Sequence, residues 1–186
     1  MKAAVVLLAD YPVQNFVRRI AVDLNRNYQV DFFSSLLPPH ISLKQPFLIE
    51  DLEDLDHYLN TLAKQIAPFE IFLDRIYHEE WEGYGILGLN VVETYSLRRL
   101  HNLLNKDLVR LFKKPAAPHD GDSYRFHLTI EMAKITTRDP FREYFERLPE
   151  KLVNMSFTAR FMAMFYYAQE TYLPGSFVTY KVLPLG

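Results

Sequence analysis

Two short stretches of this chain carry residue types that could do chemistry. They read HISLK at 40–44 and HLTIE at 127–131, with the two histidines 87 residues apart. Strand side chains alternate sides. The first stretch is therefore expected to show His40, Ser42 and Lys44 on one face and Ile41 and Leu43 on the other. The second repeats the pattern, with Arg125, His127, Thr129 and Glu131 against Phe126, Leu128 and Ile130. Two histidines facing each other suit general acid–base catalysis. Unperturbed imidazole titrates near pH ~6.5, so one ring can accept a proton while the other donates. Their repulsion spreads the two ionisations, which then belong to the pair. Ser42 and Thr129 could donate hydrogen bonds where negative charge develops between the rings. A phosphodiester fits this set, because it needs an in-line water and a proton for a poor leaving group. No metal is required.

The elements around the stretches must position them. Apolar spacing predicts a strand at about 3–9 and a helix at about 12–28, then the HISLK strand and a helix at about 51–66. The run EIFLDRIYHEEWEGYGILGLNVV reads as a hairpin around a glycine turn. A helix at about 95–113, the loop KKPAAPHDGDSY, the HLTIE strand and a helix at about 139–147 follow. NMSFTARFMAMFYY and SFVTYKVL, separated by Pro174-Gly175, read as a second hairpin. Motif, following helix and hairpin thus recur at matching offsets, which signals internal duplication of a supersecondary unit. The units are expected at about 1–84 and 85–186, with the placement of the hairpins between the halves left open. The expected fold is α+β, a single two-lobed domain with pseudo-two-fold symmetry.

Composition bounds the rest. The chain has 186 residues, 49% apolar and 24% charged, which is ordinary for a globular domain. There is no cysteine, so thiolate and disulfide chemistry are excluded and a reducing compartment is expected. MKAAVVLLADYP lacks a cleavage pattern and reads as a buried strand. No apolar run has the length of a membrane span, so a cytoplasmic protein is expected. The net charge is −2, with residues 1–93 at −7 and residues 94–186 at +5. The basic half could favour a phosphate-bearing ligand, but the pattern is not that of a protein gripping long duplex nucleic acid.

Other candidates are weaker. His-x-Ser is not a metal-ligand spacing, and neither HExxH nor paired cysteines occur. His119, Asp120 and Asp122 could bind a cation but read more simply as turn chemistry. His57 reads as solvated, His101 as a helix-face residue, and His78 as lying at the hairpin turn. Phe165, Tyr166, Tyr167 and Tyr172 could stack a base, or pack in the core.

On HISLK and HLTIE the sequence resembles the two-histidine (2H) phosphoesterases, which include the 2′-5′ RNA ligase-like proteins and the cyclic phosphodiesterases. The resemblance covers nearly the whole chain. It implies a bilobal fold of two antiparallel-rich sheets backed by helices, with a central cleft. It implies hydrolysis of 2′,3′-cyclic phosphates of RNA ends or small nucleotides, or related chemistry, with no cofactor. His40 and His127 would be the acid–base pair, and Ser42 and Thr129 would hold phosphoryl oxygens. His127 is expected to activate water and His40 to protonate the leaving oxygen. Lys44 and Arg125 are further phosphate-binding candidates, and Glu131 would need a cationic partner such as either of them. The expected partner is a small nucleotide or an RNA 3′ end with a cyclic phosphate. Two other readings compete with the enzyme. One is a non-catalytic nucleotide or RNA-end binding module. The other is a duplication that serves architecture alone.

Overall fold

The structure is a computed structural model and describes residues 1–30, 37–113, 120–135, 138–167 and 177–186. Its elements run β1 (Lys2–Leu8), α1 (Tyr11–Tyr28), β2 (His40–Leu48), α2 (Leu52–Ala63), β3 (Phe69–Trp81), β4 (Tyr84–Val92), α3 (Tyr95–Phe112), β5 (His127–Lys134), α4 (Pro140–Arg147), β6 (Leu152–Ala159), β7 (Phe161–Tyr167) and β8 (Val178–Pro184). Each of these helices starts at a residue whose side chain accepts from an orphan amide of the first turn. Asp10, Asp51, Thr94 and Asp139 bond to the amides of Val13, Glu53, Leu97, and Phe141 and Arg142 respectively. Glu82 and Gly83 both take positive φ, 49° and 80°, between the paired Trp81 and Tyr84. That is a two-residue hairpin turn whose twist matches the flanking strands.

The eight strands form one antiparallel sheet in the order β6-β3-β4-β5-β2-β1-β7-β8. The resemblance implies two sheets. The two four-stranded halves instead meet through one register pair, Ile41 with Leu128, so the sheet is continuous at a minimal seam. On either side of the seam lies a motif strand and then the strand preceding it in sequence; β3 and β6 continue one half, and β7 and β8 the other. The continuous-looking run NMSFTARFMAMFYY is not one strand. It breaks at Arg160 into β6 and β7, which sit in opposite halves of the sheet. The pairing of β7 with β8 agrees with the second expected hairpin. Its turn, with Pro174-Gly175, lies outside the described residues.

The helices cover one face. Val13, Val17 and Leu24 of α1, Leu55 and Leu59 of α2, Leu97, Leu100 and Leu104 of α3 and Phe141 of α4 share a single core. Ala3, Val5 and Leu7 of β1 and Leu87, Leu89 and Val91 of β4 join it from the sheet. Burying each such aliphatic side chain stabilises the fold by about 1.5–3 kcal/mol before entropic costs. Ala4, Val6, Ala163 and Phe165 form a smaller cluster on the other, open face. No helix among the described residues is long and apolar enough to cross a membrane.

Candidate active site

The seam sets the site. Ile41 pairs with Leu128 in antiparallel register, and both are fully buried under the helices. Continuing that register one residue each way sets His40 opposite Thr129 and Ser42 opposite His127. All four then point to the face away from Ile41 and Leu128. Each histidine thus stands across from the hydroxyl of the other motif, and all four are half-buried.

Lys44 does not share that face. On β1, Val6 pairs with Ser42 but the next residue, Val5, pairs with Lys44, so Leu43 is an extra residue. A bulge of this kind sets two residues against one and breaks the alternation. Lys44 falls on the side of Val5, among the helices. There its ammonium pairs with Asp120, and the side chains are 2% and 0% exposed. The second motif carries the same defect. Gly88 pairs with Thr129 and Leu87 with Glu131, which leaves Ile130 extra and turns Glu131 into the core, fully buried. Glu131 accepts from the amide of Met132 at 3.1 Å. The expected inward Lys44 and Glu131 are therefore both displaced, at matching positions and for the same reason.

Both rings are held alike. His40 Nδ1 donates to the carbonyl of Pro38 at 2.9 Å, and His127 Nδ1 to that of Arg125 at 3.0 Å. A backbone carbonyl two residues upstream fixes the tautomer in each case, with the proton on Nδ1 and the lone pair of the neutral ring on Nε2. Their surroundings differ. His40 pairs with Leu8 and meets Phe165 edge-on at 4.7 Å. His127 pairs with Asn90, whose amide donates to Asp74 at 2.7 Å. Burial pulls His40 from 6.5 down to about 4, the nearby His127 pushes the same way, and the Pro38 hydrogen bond opposes them. His40 is therefore neutral at pH 7.

Two side chains of α3 pin the first bulge, and little in the sequence points to them. His101 Nδ1 donates to the Leu43 carbonyl at 2.9 Å and Asn105 Nδ2 donates to it at 3.1 Å. His101 Nε2 accepts from the amide of Gly121 at 3.1 Å. With both nitrogens engaged this way the ring is neutral, and its burial holds it below the ordinary imidazole range. The ring stacks on Tyr124 at 4.7 Å and 17°. The Tyr124 hydroxyl meets the Ser42 side chain and accepts from Gln45 at 3.3 Å. The i, i+4 spacing of His101 and Asn105 on the buried stripe of α3 was the available signal.

The remaining candidates separate. Arg125 is exposed and lines a groove of about 400 Å³ beside His127, with Asp74, Asn90, Asp122 and Ser123. Phe165 buries the His40 ring, Tyr166 packs on Tyr180, and Tyr167 packs on Phe177. Tyr172 lies outside the described residues. So does His119. Asp120 is taken by Lys44, and among the described residues no three His, Asp or Glu side chains gather as metal ligands. His78 is not at the turn. It sits within β3 and its Nε2 meets the α4 cap Asp139 at 2.7 Å.

Comparison with known proteins gives concordant results. A family profile described as the 2′-5′ RNA ligase superfamily matches residues 9–170. Among solved structures, TT0787 of Thermus thermophilus superposes with a TM-score of 0.69 at 18% identity, covering 100% of this chain and 98% of that one. E. coli LigT complexed with 3′-AMP gives 0.53 at 15% identity, covering 100% and 95%. Usb1 of Kluyveromyces marxianus gives 0.50 at 14% identity, covering 99% and 97%. Among curated proteins, none matches the chain.

Proposed function

The chain belongs to the 2′-5′ RNA ligase superfamily of two-histidine phosphoesterases, and on that premise we propose that it opens 2′,3′-cyclic phosphates of RNA ends or small nucleotides. Superfamily membership supports a phosphodiesterase or RNA-end processing role. The observation that carries the finer reading is the Ile41–Leu128 seam, from which two histidines and two hydroxyls face one another. The structure of LigT with 3′-AMP, a nucleotide bearing a terminal phosphate, is in keeping with it. We also read the chain as two repeat units, about 1–84 and 85–186. The matching bulges and the mirrored strand order support exchange of outer strands between them.

The roles follow from the surroundings of each ring. His40, neutral with its lone pair on Nε2, takes a proton from an in-line water. The water oxygen bonds to phosphorus. The bond from phosphorus to one ribose oxygen breaks, and protonated His127 gives its Nε2 proton to that oxygen. The rings then exchange protons with solvent to reset. Ser42 and Thr129 donate to the non-bridging oxygens, where negative charge builds. This reverses the expected order of the two histidines, because apolar packing by Leu8 and Phe165 favours the neutral form of His40. Lys44, buried with Asp120, has no part in it. Arg125 at the mouth of the groove can meet the phosphate or the next nucleotide.

The test is incubation with 2′,3′-cyclic AMP, with 2′-AMP and 3′-AMP resolved by chromatography. Accumulation of one isomer establishes the reaction and the bond that opens. Retained affinity for the cyclic nucleotide without product contradicts it in favour of a binding module.

A further inference from the structure

Tyr77 occupies a position no feature of the motifs announces. It lies on β3, paired with Gly88 of β4, and Gly88 is paired in turn with Thr129 of β5. These three residues form one row across the open face, and the seam register extends that row to His40. Gly88 is what lets the phenol along it. A Cβ built there would lie 2.6 Å from Tyr77 Cζ and Oη and 2.7 Å from Cε1. The hydroxyl end of the ring therefore lies over the glycine, carried from β3 toward the Thr129 strand. In the other half of the sheet the row through Ser42 runs Val6, then Ala163. There the middle strand carries the bulk and the outer strand a methyl, so no side chain reaches across. The reach is specific to the Thr129 side.

The hydroxyl is available. Tyr77 is half-buried, and among the described residues nothing hydrogen-bonds its oxygen. A phenol hydroxyl that no protein group engages can give its hydrogen bond to a ligand or to water. Burial, with Glu79 and Tyr124 pushing the same way, drives its ionisation well above the usual phenol range. It is a hydrogen-bond donor at every working pH.

We infer that Tyr77 is a further catalytic residue, donating its hydroxyl hydrogen bond to the phosphoryl oxygen on the Thr129 side, with Gly88 as the gap that admits it. This rests on the phosphodiester reading of the site. Its ligand is the anionic oxygen, so it does not depend on which nucleoside bears the phosphate.

The test is Tyr77→Phe, which removes only the hydroxyl, beside Gly88→Ala and the double variant, assayed on 2′,3′-cyclic AMP. In Tyr77→Phe the expected kcat falls about 10- to 100-fold, with KM and thermal unfolding little changed. Gly88→Ala displaces the ring and loses a similar factor. The double variant loses no more than the larger single loss, because both changes remove one contact. Activity of Tyr77→Phe within twofold of the parent overturns the inference, as does a double loss equal to the product of the single losses. If the parent turns nothing over, the enzymatic reading fails by itself and the inference is decided by binding. With tyrosine Cζ labelled with carbon-13, inorganic phosphate is expected to shift the resonance that Tyr77→Phe removes. A resonance that stays in place overturns it.

Discussion

Replacing Lys44 by methionine separates the phosphate contact expected from the sequence from the buried ion pair found in the structure. Methionine keeps much of the length and apolar stem and removes the charge. In the structure the Lys44 ammonium pairs with Asp120, whose side chain is fully buried. His101 and Tyr124 lie close enough to feel the Asp120 charge. Leaving one partner of a buried pair uncompensated costs about 3–5 kcal/mol. For a chain of this size each kcal/mol moves Tm by about 2–4 °C, so Lys44→Met unfolds about 6–20 °C below the parent. Asp120→Asn on top of it removes the stranded charge and recovers part of the loss. The assay is thermal unfolding by circular dichroism, with kinetics on a cyclic nucleotide well below the lowered Tm. There KM is expected to stay within about twofold, since the side chain is on the far side of the sheet from His40. An unchanged Tm together with a tenfold rise in KM would refute the reasoning and return Lys44 to the phosphate.

Three further outcomes follow from the same geometry. His40 has its pKa lowered by folding, so the unfolded chain binds more protons and stability falls as pH drops below 6.5, levelling off near 4. Between pH 7.5 and 5.0 the loss is ~2 kcal/mol, and His40→Asn is expected to be less acid-sensitive than the parent by about 4–8 °C in Tm; equal pH dependence of the two contradicts the shift. The acid limb of kcat/KM is expected near pH 4 if His40 is the base, whereas a limb near 6.5 assigns that role elsewhere. His101→Phe keeps the stacking on Tyr124 but removes a donor to the Leu43 carbonyl and the acceptor for the Gly121 amide. It is expected to cost about 2–4 kcal/mol in chemical denaturation, and a neutral result removes His101 as the pin of the bulge.

Much of this molecule was legible in its sequence, for reasons that are local. The leucine stripes of α2 and α3 are short-range signals, and they fix those helices to within a few residues. HISLK and HLTIE announce their strands through simple alternation, and the histidines and hydroxyls do share a face. The alternation fails two residues later, at Lys44 and Glu131, because a bulge is a tertiary feature. In the first motif the carbonyl of the extra residue Leu43 is satisfied by His101 and Asn105, 58 and 62 residues away. No local pattern announces such an acceptor. Arg160 separates β6 from β7 without a glycine or proline to mark the break, and only the sheet order reveals that the two strands part company. Tyr77 was hidden for a similar reason. Its reach depends on an absent side chain, at Gly88, on the neighbouring strand.

The central claim is that His40 and His127 together open a phosphodiester. The most direct measurement is hydrolysis of 2′,3′-cyclic mononucleotides, and of a short RNA ending in a cyclic phosphate, by chelator-treated protein beside His40→Ala and His127→Ala. The account predicts turnover in the parent and a loss of about 10²–10⁴-fold in each variant, with circular dichroism unchanged. Turnover that survives both substitutions would contradict it.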